Sequence, residues 1–257
     1  MRFHEPEVRV LETREGLFRE AAGLFAVQAA ETLAAKESFT VALPGGSTPR
    51  GLFSLLAGEE PFRSRLPWGK IHFFWGDERP VPPDHRESNY RLAFETLLSR
   101  VAVSSEHIHR IPGENPDPAG AASQYEEVLR RFFGLGRGEI PRLDLVLLGM
   151  GEDGHTASLF PGTEALGEST RLVVANWIPR LETWRITLTL PVLNGAGWVL
   201  FLVSGERKAG ALRAVLEGEG EGEILPAGRV RPRNGKVVWL VDRAAAKLLR
   251  RHPGGKT

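Results

Sequence analysis

The sequence predicts an α/β fold built on a doubly wound, largely parallel sheet with helices on both faces. Two observations predict it. Short apolar runs alternate along the chain with longer segments whose apolar residues recur at helical spacing. In addition, the run Leu143–Gly149 is almost continuously apolar, as expected of a central parallel strand buried on both faces. No sharp change of composition divides the chain, so we expect a single domain over residues 1–257.

The first half of the chain supplies two strands and four helices to this scheme. The helices are predicted from apolar residues at helical spacing, and the strands from short apolar runs that end at glycine or proline. The predicted helices are Glu12–Lys36, Arg50–Gly58, Ser88–Val101 and Pro118–Phe133, and the strands are Ser38–Leu43 and Lys70–Trp75.

The second half repeats the alternation of strands and helices after the central strand. The further strands are predicted at Leu172–Trp177, Arg185–Leu190, Trp198–Val203 and Val237–Val241, and helices at Glu206–Gly218 and Asp242–His252. The low-complexity run Glu217–Glu223 predicts a flexible surface loop. This order of elements is typical of a Rossmann-like sheet.

Composition excludes several classes of protein. The 257 residues include 33 basic and 32 acidic side chains, so a broad nucleic-acid surface is not expected. The absence of cysteine excludes disulfides and zinc-thiolate sites. The longest apolar stretch, Trp198–Val203, is too short to span a bilayer, and charges occupy Met1–Val10 where a signal peptide needs an apolar run. We therefore expect a cytoplasmic protein without nucleic-acid or membrane partners.

The glycine-rich turn Pro44–Pro49 lies between a predicted strand and a predicted helix. Its glycines allow close approach of a ligand, and we expect Ser47 or Thr48 to cap the helix, with Pro49 in its first position. The free N–H groups of such a helix start favour a phosphate. A plain tight turn with a capped helix is the alternative. The lysine of the Walker motif is missing.

A second glycine-rich loop, Gly149–Gly154, matches the GxGxxG pattern of dinucleotide sites. Such a site needs a full helix next and an acidic residue at the end of the following strand. Here Pro161-Gly162 ends the predicted helix after about two turns, and the next strand ends at Asn176-Trp177. The sequence therefore argues against a dinucleotide cofactor at this loop.

The residues that follow this loop favour acid–base chemistry. His155 comes two positions after the carboxylate Asp153, at the carboxyl end of the predicted central strand. An imidazole there suits proton transfer near neutral pH, although a surface or structural histidine is the alternative. His107 and His109 are interpreted as structural, because no metal-ligand spacing is present. With neither cysteine nor a GxSxG motif, water is the expected nucleophile.

Three charged residues near other strand ends complete the candidate set. Asp77 could orient a group or exchange a proton, and Arg79 could clamp a phosphate with two hydrogen bonds. A solvated cluster of self-paired charges is an equal alternative for both. Lys208 opens a helix, where a cation opposes the helix dipole, so a ligand would explain it as well as simple exposure does.

Together these segments resemble the 6-phosphogluconolactonase family, within the wider glucosamine-6-phosphate isomerase/deaminase-like superfamily. The resemblance covers nearly the whole chain, in the order expected of the family. Its matching stretches are Leu43–Phe53, Phe73–Ala93, Leu143–Thr163, Arg185–Leu212 and the closing run from Val237.

The resemblance implies hydrolysis of 6-phospho-D-glucono-1,5-lactone to 6-phosphogluconate in the oxidative pentose phosphate pathway, without metal or organic cofactor. It implies that His155 is the general base and that Asp77 sits where the deaminase relatives carry a catalytic Asp. It further implies that the 6-phosphate is held by Gly45, Gly46, Ser47, Thr48, Arg79 and Lys208. It leans toward a monomer.

Two alternatives stay open at this point. A glucosamine-6-phosphate deaminase or isomerase would carry a tyrosine after the Asp-Glu pair, where this chain has Arg79, and a different segment from Gly154 onward. A non-catalytic sugar-phosphate-binding domain of a regulator would need a DNA-binding module, for which we expect no room in the first eleven residues.

Overall fold

A computed structural model describes residues 6–218 and 224–250 of the chain. Its main sheet has six parallel strands in the spatial order β1-β9-β8-β5-β2-β3. A separate antiparallel sheet has the order β4-β7-β6. The strands, numbered along the chain, are β1 Glu7–Leu11, β2 Phe39–Leu43, β3 Ile71–Trp75, β4 Asp77–Glu78, β5 Leu145–Leu148, β6 Val173–Ile178, β7 Thr183–Leu188, β8 Trp198–Val203 and β9 Lys236–Asp242.

Helices flank the main sheet, and the predicted α/β fold is confirmed. The α-helices are α1 Arg14–Leu33, α2 Ser47–Gly58, α3 Phe62–Arg65, α4 Asn89–Thr96, α5 Pro118–Phe133, α6 Leu190–Gly195, α7 Ala209–Glu217 and α8 Arg243–Ala246. No helix in the described part of the chain is long and apolar enough to cross a membrane. The core lies between the sheet and these helices, and β2 and β5 are buried along their whole length.

The antiparallel sheet corrects one expectation. The strands predicted at Leu172–Trp177 and Arg185–Leu190 form, with shifted bounds, as β6 and β7 outside the parallel sheet. Only the short 3-10 turn Pro179–Leu181 joins them. A parallel pair needs a long crossover, whereas an antiparallel pair closes over a short turn. The pair β4–β7 then brings Asp77 opposite Thr187.

Other differences concern the ends of elements. The strand β1 was not predicted, and the helix predicted to Val101 ends at Thr96, before a 3-10 turn. No helix follows the loop Gly149–Gly154, where Thr156 and Leu159 form a bridge instead. The helix predicted over Asp242–His252 is described only to residue 250 and ends at Ala246. Of the predicted surface loop Glu217–Glu223, residues 219–223 lie outside the described part.

Candidate active site

A cleft of about 400 Å³ opens where the carboxyl ends of β2, β5 and β8 meet the antiparallel sheet. This edge is where α/β folds bind ligands. The structure brings all eight predicted site residues into the wall of this one cleft: Gly45, Gly46, Ser47, Thr48, Asp77, Arg79, His155 and Lys208. Their chemical roles remain predictions.

The glycine-rich loop Pro44–Pro49 after β2, named the phosphate loop for the ligand predicted from its sequence, starts helix α2 in a different way from the one predicted. Gly46 is the N-cap, with φ 106°, and no side chain caps the helix, which begins at Ser47 rather than at Pro49. The expected cap by Ser47 or Thr48 is therefore wrong: both residues already lie in the first turn. The N–H groups of a first helical turn lack intrahelical acceptors, and here they border the cleft.

Gly45 is needed for close packing in this loop. A Cβ atom added to it would lie 1.8 Å from Oδ1 of Asn89, which is 1% exposed. The Nδ2 group of Asn89 donates to the backbone oxygen of Asp77 at 2.9 Å, while its Oδ1 atom is buried without a hydrogen-bond partner. Asn89 thus joins the phosphate loop to β4. It lines the cleft, although sequence reasoning did not select it.

Asp77 is held rigidly on β4 at the wall of the cleft. It is 7% exposed, and its carboxylate accepts a hydrogen bond from Ser158 Oγ at 2.6 Å and one from Asn89 Nδ2 at 3.2 Å. The neighbouring Glu78 has a structural role. Burial raises its pKa, and it accepts hydrogen bonds from the N–H groups of Asn89 and Tyr90, so that it fixes the start of α4.

His155 is oriented by a carboxylate from its own loop. Its Nδ1 atom lies 2.5 Å from Oδ1 of Asp153, which leaves Nε2 unengaged by that partner. Burial raises the pKa of Asp153, but the hydrogen bond and charge of His155, together with Arg180, outweigh it and lower that pKa to about 2. Asp153 is therefore ionised at neutral pH. A Cβ atom on Gly151 would lie 2.0 Å from Nδ1 of His155, so only glycine leaves room for the ring.

The cleft carries positive charge that its acids do not pair. Arg79, Arg185 and Lys208 line it, and within the described ranges none of them forms an ion pair. Burial lowers the pKa of Arg185, and the charge of Arg79 lowers it further. Burial also lowers the pKa of Lys208. Two arginines that repel each other in a half-buried cleft favour an anionic ligand.

Sequence reasoning missed Arg180 and Arg185, which lie on the turn after β6 and on β7. Nothing local marks them, because the antiparallel sheet alone brings this hairpin to the glycine loops. Ser158 could have been found, since it lies three residues after His155 in the same segment. In the described part of the chain, no group of three or more His, Asp or Glu side chains is arranged to hold a metal ion.

Comparison with known proteins identifies a matching protein family and several similar proteins. The family model described as glucosamine-6-phosphate isomerases/6-phosphogluconolactonase matches residues 12–239. The 6-phosphogluconolactonase of Nostoc sp. is 41% identical over 94% of this chain and 98% of its own length. The corresponding Synechocystis sp. protein is 40% identical over 95% and 99%. The solved structure of the Trypanosoma cruzi 6-phosphogluconolactonase is 29% identical, with a TM-score of 0.86 over 98% of this chain and 99% of the other.

Proposed function

Because the chain belongs to the glucosamine-6-phosphate isomerase/6-phosphogluconolactonase family, we propose that it hydrolyses 6-phospho-D-glucono-1,5-lactone to 6-phosphogluconate. The names of its relatives suggest the substrate and a place in the oxidative pentose phosphate pathway. The observation that carries the proposal is the 2.5 Å contact of His155 with Asp153 in a cleft of unpaired cations. This arrangement combines a proton acceptor with a site for a phosphorylated substrate.

The phosphate would bind at the start of α2. The first-turn N–H groups and the dipole of this 12-residue helix favour an anion, and Arg79 and Lys208 face the same cleft. The Arg79 side chain donates to the backbone oxygen of Glu87, while its Nε atom is buried without a partner. A phosphate oxygen could satisfy that nitrogen. Because Arg185 lies close to Arg79, we expect it to add to the same attraction.

His155 would act as the general base. With Nδ1 held by Asp153, the Nε2 atom takes a proton from water as the water oxygen attacks C1 of the lactone. The imidazolium that forms is stabilised by the ionised Asp153 carboxylate. The C1–O ring bond then breaks, and His155 returns the proton to the departing ring oxygen. The sum is one lactone and one water giving one hydroxy acid, with no net proton left on the enzyme.

The other polar groups of the cleft would orient the sugar and its carbonyl. Asp77, fixed by Ser158 and Asn89, presents a carboxylate to substrate hydroxyls. The N–H groups of residues 149–155 are candidate donors to the developing oxyanion. Three of them, those of Gly151, Gly154 and His155, already bond within the loop. An oxyanion donor is therefore sought among the other N–H groups of this loop and among the other groups that face the cleft.

The test is hydrolysis of freshly generated 6-phosphogluconolactone with EDTA present and the spontaneous rate subtracted. We expect a rate well above background that EDTA does not change. A rate equal to background would refute the proposed activity, and turnover of glucosamine 6-phosphate would be measured next. Tight binding of 6-phosphogluconate without any turnover would instead identify a sugar-phosphate-binding domain.

A further inference from the structure

Arg180 links the β6–β7 hairpin to the loop that carries His155. Its Nη2 atom lies 2.7 Å from Oδ2 of Asp153, whose other oxygen contacts His155. The Arg180 guanidinium also lies over the ring of Phe160, 4.9 Å from its centroid. The His155 ring also stacks on Phe160, at 4.0 Å between centroids and 20° between planes. Arg180 therefore reaches the imidazole by two routes.

These four side chains form a closed arrangement. Asp153 bridges Arg180 and His155 through its two oxygens, and the ring of Phe160 contacts the same two residues. Asp153 and His155 are well covered, with side-chain exposures of 22% and 27%. Solvent therefore screens this pair less than it would a surface pair. Arg180 itself is half exposed, so it can be replaced without opening the core.

We propose that Arg180 is a positioning residue that fixes Asp153 and Phe160 around His155 and tunes the proton affinity of the imidazole. The inference rests on the proposed role of His155 as general base. According to this inference, the hairpin turn Pro179–Leu181 supports the loop that carries His155, in addition to lining the cleft. The antiparallel sheet thereby acts on the reaction without touching the reacting atoms.

The direction of the effect follows from the charges. Ionised Asp153 favours a proton on His155, and the positive Arg180 partly offsets that attraction. Removing the charge of Arg180 therefore raises the proton affinity of His155, so that more of the base is protonated and inactive at a given pH. The remaining charged groups around the cleft stay in place in such a variant: Asp77, Arg79, Glu152, Arg185, Arg207 and Lys208.

The experiment compares Arg180→Gln with Arg207→Gln. Arg207 pairs with Glu152 at 2.9 Å, so its replacement frees a carboxylate next in sequence to Asp153 that does not contact His155. In Arg180→Gln we expect the acid limb of kcat/KM to move up by about 0.5–1 pH unit. We expect kcat to fall by about three- to tenfold with KM nearly unchanged, because the base is less well positioned. Arg207→Gln should leave the acid limb where it is.

Two further measurements separate this inference from the activity on which it rests. NMR titration of His155 reports its protonation without any turnover, and its midpoint should move up in Arg180→Gln only. In the Asp153→Asn background, the further change Arg180→Gln should move the profile by less than it does in the wild-type background, since the bridging charge is gone. Arg180→Met, which also removes the charge but keeps an apolar stem over Phe160, repeats the test if the Gln variant is unstable.

The outcomes are distinct. An unchanged or lowered midpoint for His155 in both Arg180 variants would overturn the inference, as would an equal shift in Arg207→Gln. A wild-type protein with no lactone hydrolysis would refute the proposed function, but the NMR comparison would still decide whether Arg180 controls His155. A loss of kcat without any movement of the acid limb would show that Arg180 has only a structural role and does not tune His155.

Discussion

The molecule holds histidines in aromatic surroundings at two places, with opposite consequences. In the cleft, His155 stacks on Phe160 and contacts the Asp153 carboxylate at 2.5 Å. On the outer side of β3, three histidines, defined here as the β3 cluster, pack against phenylalanines, and none of them forms an ion pair with a carboxylate in the described part of the chain. Its members are His72, His107 and His109.

Within the β3 cluster the only hydrogen bond among the described rings joins Nδ1 of His72 to Nε2 of His109 at 3.1 Å. Burial, followed by the charges of the other two histidines, lowers the pKa of His109 to about 4. Burial also lowers the pKa of His72. The comparison indicates that burial next to other histidines disfavours the charged form of these imidazoles. A bound carboxylate is what lets the ring accept a proton during a reaction.

The largest expected effect comes from exchanging histidine at each place. His155→Gln removes the proposed base, so kcat should fall by about 10²–10⁴-fold while KM changes little. His109→Phe keeps an aromatic ring against Phe74 and should retain activity within about twofold, because it lies outside the cleft. Steady-state kinetics on the fresh lactone measures both variants. Full turnover by the His155 variant would remove the basis of the comparison.

The next effect concerns the carboxylate that distinguishes the two places. Asp153→Asn keeps the size of the side chain but removes its charge, so the imidazolium that forms on attack is no longer stabilised. We expect kcat to fall by about 10–10²-fold and the acid limb of kcat/KM to move to lower pH. A matched control is Glu152→Gln, which neutralises the adjacent acid and should change neither quantity. Equal profiles for wild type and Asp153→Asn would show that Asp153 does not act on His155.

The sequence allowed most of the main sheet to be predicted, because buried parallel strands such as β5 and β8 are continuously apolar. It did not reveal β1, since this edge strand alternates Glu7 and Arg9 with valines and so contains no continuous apolar run. The two residues of β4 are too few to form a pattern. Local signals therefore failed where pairing with a distant strand decides the structure.

In the candidate site, too, local sequence signals were enough to select some residues but not others. The phosphate loop follows β2 directly, and His155 ends the glycine-rich loop that follows β5, so turn chemistry and position were enough to select them. The role of Arg180 depends on where the β6–β7 hairpin lies, and no nearby residue indicates that. The helix start was predicted wrongly because a glycine at φ 106° replaced the expected hydroxyl cap. Packing constrains the same loop at the preceding residue, Gly45, which lies against Asn89.

A smaller effect should follow from crowding the His155 ring. In Gly151→Ala the new methyl group would lie 2.0 Å from Nδ1 and 2.4 Å from Oδ1 of Asp153, so the contact between the two must open. We expect kcat to fall by about tenfold, as for a misplaced base, without loss of the fold. Gly210→Ala, on α7 with nothing within 4 Å of the added atom, is the control. Circular dichroism checks the fold, and an unaffected kcat would mean that the Asp153–His155 contact is dispensable.

The smallest expected effect is on stability rather than catalysis, and it tests the β3 cluster. The pKa of His109 is about 4 in the folded protein and near the ordinary 6.5 once unfolded. Above pH 6.5 neither state binds the proton, so the stabilisation is fully present. As the pH falls from 6.5 toward 4, the unfolded chain takes up the proton and the folded protein does not, so stability is lost. Because His109 is only partly buried, solvent screening reduces the loss between pH 7 and 5 to about 1 kcal/mol.

His109→Phe cannot take up a proton, so its free energy of unfolding should fall less than that of wild type over the same pH interval. Urea denaturation at pH 7 and pH 5 gives the four values needed, and acidic groups common to both proteins cancel in the difference. The Phe variant also loses the contact with His72, which lowers its stability at both pH values alike. The titration of His109 is therefore reported only by the difference between wild type and variant in how much the free energy of unfolding changes from pH 7 to pH 5. An equal change in both proteins would show that the β3 cluster takes up protons as readily when folded as when unfolded. That result would contradict the contrast with His155.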